Sequence, residues 1–241
     1  MTGAGGVELG TELRLAIEVA DRCDAITLPA FGSDGLRVDH KADHSEVTEA
    51  DRAAEEIAVD TLTSQRPGHA VYPPGARGRW TIAPLACTAG VARGIPVGAT
   101  LIALEEVGVG LAVAVVSAPA LGRRWWAIRG GGAFTSGPDG SARRCLVSEV
   151  GSLDEAQVSL AVNQGWDDLG SGRRLEEWAL GARRARNLGD FWQHCLVAEG
   201  ALEVAVDAVG LAVYDVAAPR LIVEEAGGAF TDHTGEPSHA G

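Results

Sequence analysis

Lysine is almost missing from this chain: it occurs once, at Lys41, and the other 19 of the 20 basic residues are arginine. Such a skew is what a GC-rich bacterial genome imposes, and it carries no mechanism. Tyrosine occurs only twice, as Tyr72 and Tyr214, and methionine once. The four cysteines (Cys23, Cys87, Cys145, Cys195) form no CxxC pair and no disulfide-framework spacing, which argues against a zinc site and suits a reducing compartment. The six histidines have no metal-ligand spacing either. No window reaches the roughly 18 unbroken apolar residues of a membrane span, and the start "MTGAGGVELG" has no basic stretch followed by an apolar one. A cytoplasmic protein is expected. Basic surplus is absent too. A formal charge of −13 disfavours nucleic acid and anionic membranes as partners, because phosphate backbones attract basic faces.

What is present reads as a packed globular chain, with 46% hydrophobic residues over 241 positions. Apolar side chains at helical spacing (Leu13, Ala16, Ile17, Ala20) predict a first helix from about Val7 to Ala30. Thr48 stands before "EADRAAEEIAVDTL" with Asp51 three residues on, a variant capping box that starts a second helix. Short β-like runs follow at His69–Tyr72 and Trp80–Ile82, then two long ones, "VGATLIALEE" and "VGLAVAVVSAPA". The meander continues through "RRWWAI", where Trp125 and Trp126 face opposite ways, into a flexible "RGGGAFTSGPDG". The second half alternates: strand "AQVSLAV", helix "DLGSGRRLEEWALG", strand "RARNL", helix "DFWQHCLVAEGA", strand "LEVAVDA", helix "VYDVAAPRLIVEEAG", strand "GAFTD". That order predicts an α/β (α+β) chain with two sheets, one structural unit over residues 1–241 with subregions of about 1–145 and 146–241.

Three blocks, "KADHSEVTEAD" (Lys41–Asp51), "WTIAPLACT" (Trp80–Thr88) and "VYDVAAPRLIVEEAGG" (Val213–Gly228), resemble the signatures of the inositol-monophosphatase superfamily. "RARNLGDFWQHCLVAEGALEVAVD" is similar to its histidinol-phosphate phosphatase branch. The resemblance runs over nearly the whole chain and implies an α/β/α/β/α layered sugar-phosphatase fold, a homodimer and a small-molecule substrate. It also implies where family members hold Mg²⁺, and there this chain departs. "VYPPG" places Tyr72 and Pro73 where a glycine and a ligating glutamate are implied. Ala83 and Ala86 stand at two ligating aspartates, and Cys87 at the glycine after them. Of the implied metal carboxylates only Asp215 remains, after Tyr214 in place of tryptophan. Magnesium wants oxygen ligands in near-octahedral array, which proline and alanine side chains do not supply, so no metal and no other cofactor is expected.

Other parts persist. Thr88 and Asp51 match the pair that orients and deprotonates the attacking water, and Asp190 matches a position that contacts the substrate's organic part. Asp43 keeps the first block recognisable, and Cys87, Trp192 and His194 are added as substrate-side candidates. Both tyrosines directly precede former ligand positions, making a neutral to apolar pocket with a few polar points. The resulting expectation is a metal-independent, repurposed enzyme of bacterial specialised metabolism rather than a magnesium phosphomonoesterase. It would be a cyclase, lyase or isomerase acting on a mostly uncharged small molecule, with Asp215, Asp51, Thr88, Tyr72 and Tyr214 supplying acid–base chemistry. The alternative expectation is an inactive pseudophosphatase that binds a ligand or regulates a partner.

Overall fold

The computed structural model describes residues 5–31, 38–40, 46–72, 77–137 and 139–237. Along the chain run α1 (Gly5–Ala30), β1 (Val38–His40), β2 (Glu46–Thr48), α2 (Glu49–Gln65), β3 (Ala70–Val71), β4 (Gly78–Ala86) and the single turn α3 (Thr88–Val91). Then come β5 (Ala99–Glu106), β6 (Gly110–Ala118), β7 (Arg123–Ile128), β8 (Gly132–Ser136) and β9 (Ala142–Arg144). The second half contains β10 (Gln157–Leu160), α4 (Gln164–Asp168), α5 (Gly172–Gly181), β11 (Arg184–Arg186), α6 (Asp190–Ala198), β12 (Val204–Val206) and α7 (Val213–Glu225).

A seven-stranded sheet in the order β3-β4-β5-β6-β7-β8-β9 is antiparallel except for the β3–β4 pair. Both of its faces are covered, and the strands alternate accordingly. Ile102, Leu104, Val113 and Val115 pack under α1 and α2 with Leu15, Val19, Ala54, Leu62 and Trp80. Leu101, Ala103, Ala114, Val116 and Trp125 point the other way, against Phe191 and Cys195 of α6 and Leu221 and Ile222 of α7. Beyond α6 and α7 lies a parallel three-stranded sheet, β11-β10-β12, whose far side carries Ala179 of α5 against Val158 and Leu160. The layers are therefore helix, sheet, helix, sheet, helix, as the resemblance implied.

Local chemistry explains the boundaries that matter for the site. Thr48 caps α2 in a full capping box: its side chain accepts from the Asp51 amide, and Asp51 Oδ2 accepts from the Thr48 amide at 2.8 Å. β4 is interrupted by a bulge between Ala83 and Ala86, where three steps oppose the two from Leu101 to Ala99. Such a bulge bends the strand and turns the residues after it in a new direction. Thr100 Oγ1 satisfies the Pro84 carbonyl freed there, at 2.9 Å.

Three sequence expectations differ from the structure. "RGGGAFTSGPDG" is not simply flexible, because Gly132–Ser136 forms β8 and pairs with β7; Gly130 and Gly132, both at positive φ, make the turn into it. "DLGSGRRLEEWALG" is not one helix: the chain breaks at Gly170, at φ 69, and starts again at Gly172. "GAFTD" forms no strand among the described residues; Phe230 instead lays its ring 5.1 Å from His194. Trp125 and Trp126 do occupy opposite faces of the large sheet. Among the described residues no helix is long and apolar enough to cross a membrane.

Candidate active site

The site gathers where α2, the β4 bulge with α3, α6, β12 and α7 meet. Thr88, the first residue after the left-handed Cys87, carries a hydroxyl 2.9 Å from Asp51 Oδ1 and 3.0 Å from the Leu85 carbonyl. These residues are 37 apart in the chain, so only tertiary packing pairs them. Asp51 is buried, and its other oxygen is held by the Thr48 amide and hydroxyl. The carboxylate is thus fixed by the same bonds that cap the helix, and it lies in hydrogen-bond contact with Thr88.

Asp215 stands at the third position of α7, where its Oδ2 accepts from the Ala212 amide at 3.0 Å. It caps its helix and complements the positive end of the helix dipole. Tyr214 beside it is 39% exposed, so it does not fill a buried void. Tyr72 donates its hydroxyl to Glu55 Oε1 at 3.1 Å, and its ring leans on the core under α1 and α2.

Cys87 lies among carboxylates. Its thiol is pushed well above the ordinary range, first by burial, then by the charge of Asp190 and its hydrogen bond to that residue, and then by the charges of Asp207 and Asp215. A thiol so placed stays protonated and donates a hydrogen bond; it is no nucleophile. Because Cys87 sits at φ 64, a Cβ there is strained. Cys87→Gly is therefore expected to unfold in urea at about 1 kcal/mol greater stability than Cys87→Ala, which loses the same thiol but keeps the strain. Equal stabilities would show that the turn is relaxed.

The remaining candidates divide. Asp190 is exposed at the start of α6 at φ 50, beside Cys87. His194 faces inward instead: it is buried, with Nε2 2.9 Å from Asp207 Oδ2. Trp192 is half-buried against the larger core. Asp43 and Pro73 lie outside the described residues. Two residues that the sequence motifs do not single out belong here, Glu55 and Asp207. Glu55 carries a signal, since it follows Asp51 by four on one helix face; Asp207, at the end of the last parallel strand, carries none. Burial works against the charged form of Asp207, but the hydrogen bond and charge of His194, the Ala208 amide and Gln193 outweigh it and hold the carboxyl below its ordinary value.

The fold implies divalent cations, and the residues present do not fit them. Ala83 is buried and offers no donor, and Ala86 offers none. Among the described residues no three His, Cys, Asp or Glu side chains converge to hold an ion. No catalytic step is therefore routed through one.

The profile of the inositol monophosphatase family matches residues 9–240. The histidinol-phosphatase of Streptomyces coelicolor is 41% identical over 240 residues, 95% of this chain and 90% of that protein. The histidinol-phosphatase of Mycobacterium tuberculosis is 42% identical over 231 residues, covering 93% and 88%. Among solved structures, an inositol monophosphatase from Zymomonas mobilis superposes with a TM-score of 0.80 at 30% identity, covering 95% of this chain and 88% of that one. These relatives overturn the expectation of a metal-independent cyclase, lyase or isomerase, because proteins this similar over nine-tenths of the chain are named phosphatases. That expectation weighed the missing carboxylates at Pro73, Ala83 and Ala86 as the loss of the reaction. The bulge in β4, the capped start of α2 and the Asp51–Thr88 contact are all present in this chain. The chain belongs to the inositol monophosphatase family and stands in its histidinol-phosphatase branch.

Proposed function

We propose that this chain is a phosphomonoesterase whose substrate is a small phosphate ester with a cationic organic part, of the histidinol phosphate type. The observation that carries the reading is the Thr88–Asp51 contact at 2.9 Å, held by the α2 cap. Thr88 has one hydroxyl proton for two acceptors, so a water can donate to its oxygen while Asp51 takes up the proton released on attack at phosphorus. The P–O ester bond breaks, and the leaving alkoxide takes a proton from solvent.

Electrostatics favours the cationic end. A phosphate 4 Å from a carboxylate meets repulsion of about 4 kcal/mol per unit-charge pair at an effective dielectric of 20. An ammonium or imidazolium on the same molecule, set among Asp190, Asp207 and Asp215, offsets that term. A neutral polyol phosphate has nothing to offset it with. The lean donor set at Ala83 and Ala86 predicts slow turnover compared with the relatives. We also propose that the chain works as a homodimer in the cytoplasm, which light scattering on the purified protein tests.

The experiment is phosphate release from histidinol phosphate, inositol monophosphate and a neutral alkyl phosphate, at several divalent-cation concentrations. Histidinol phosphate is expected to be hydrolysed at least tenfold faster than the other two. No release from any of them at any cation concentration, or equal release from all three, overturns the proposal.

A further inference from the structure

Among the described residues three non-glycine residues have positive φ, namely Tyr72 at 71, Cys87 at 64 and Asp190 at 50, and all three border the site. Backbone in this region costs a bulky residue on the order of 1–2 kcal/mol and persists only where its surroundings over-determine it. Tyr72 is over-determined. Its amide donates to the Trp80 carbonyl at 2.8 Å, its ring lies against the α1–α2 core, and its hydroxyl donates to Glu55 Oε1 at 3.1 Å. Glu55 follows Asp51 by one helical turn, so both carboxylates leave α2 on the same side. Tyr72 also lies within electrostatic reach of Tyr214, next to Asp215. The pair therefore lies on the Asp51 side of α2 and within electrostatic reach of the start of α7.

We infer that Glu55 and Tyr72 form a ligand-positioning pair, in which Glu55 holds the phenol by its proton and the phenol oxygen accepts a hydrogen bond from an N–H or O–H group of the bound molecule. A tyrosine hydroxyl has one proton to give. With that proton committed to Glu55, the oxygen offers the site only lone pairs, so it selects a donor and turns away a phosphate oxygen. Glu55 acts through Tyr72 and is a positioning residue. The inference uses the proposed phosphatase reading only to choose the probe.

The pair is tested by calorimetric titration of histidinol phosphate into the wild type, Tyr72→Phe, Glu55→Ala and Glu55→Gln, with a thermal melt of each. Tyr72→Phe keeps the ring and removes the acceptor, so Kd is expected to rise about tenfold, the span of one hydrogen bond to a charged group. Glu55→Ala unlatches the phenol and has a similar effect, whereas Glu55→Gln still accepts the phenol proton and restores most of the affinity. A spectroscopic reading is independent of binding. In a Tyr214→Phe background Tyr72 is the single tyrosine, and its phenolate absorbance should appear at lower pH once Glu55→Ala is added. The reason is that burial first, and then the Glu55 charge and hydrogen bond, hold the phenol above its ordinary range. An unchanged Kd in Tyr72→Phe, no binding of histidinol phosphate by the wild type, or an unmoved phenol titration overturns the inference. Tight binding without phosphate release leaves the pair standing and removes the phosphatase reading instead.

Discussion

Asp51→Asn is expected to lower phosphate release from histidinol phosphate by roughly 100- to 10,000-fold, the usual contribution of a positioned proton acceptor. Asparagine fills the same space but cannot take the proton. The variant also disturbs the capping box, because one Asp51 oxygen accepts from the Thr48 amide, and an amide group turned that way would face another donor. The structural part of that loss is about 1 kcal/mol, the common value of an N-cap, and a urea melt measures it separately from turnover. Thr88→Val supplies the control, since it removes the water's acceptor without touching the cap, and Thr88→Ser should restore most of the rate. If Asp51→Asn retains the wild-type rate while Thr88→Val loses it, Asp51 is a helix cap and the proton goes elsewhere.

Glu199→Ala is expected to cost about 3–5 kcal/mol of folding stability. Its side chain is 5% exposed at the end of α6, and it accepts from Arg123, Arg143 and, at 2.6 Å, the Trp125 indole. Trp125 is fully buried in the face of the large sheet that meets α6. Removing the carboxylate leaves the indole N–H and the Arg123 guanidinium without their shared acceptor, so the penalty is that of stranded polar groups rather than of one lost contact. Arg143 adds little, because its side chain is 56% exposed. Glu199→Gln keeps an acceptor for the indole and should lose less than half as much. Because α6 also carries Asp190 and His194, substrate binding should weaken along with stability. A urea midpoint within error of the wild type for Glu199→Ala would show that the cluster is ornamental.

Much of this fold is legible in the chain itself. Helical spacing places α1, the Thr48–Asp51 box places the start of α2, and β-like runs place β3 to β7, because each signal is written within a few residues. Four ordered blocks place the family for the same reason. Sequence and structure part where a local signal is weak or shared. A glycine-rich run masks β8, since the glycines make the turn while Ala133, Phe134 and Thr135 make the strand. A helical pattern bridges Gly170, whose left-handed backbone ends α4. The carboxylates missing at Pro73, Ala83 and Ala86 did not carry the expected conclusion, because relatives this similar over nine-tenths of the chain are named phosphatases.

The sequence by itself determined most of the elements through spacing along one strand or helix, and its resemblance to a family implied the layering. Only the tertiary structure decided which chemistry-bearing residues meet. Packing of α2 against the β4 bulge brings Asp51 to Thr88, and the parallel β3–β4 pairing brings Tyr72 to Glu55. Seating of α6 on the second sheet turns His194 inward to Asp207 while leaving Asp190 at the surface beside Cys87. These meetings are set by how sheets and helices bury their apolar faces, an energy summed over the whole core, so no local pattern around any of the partners encodes them.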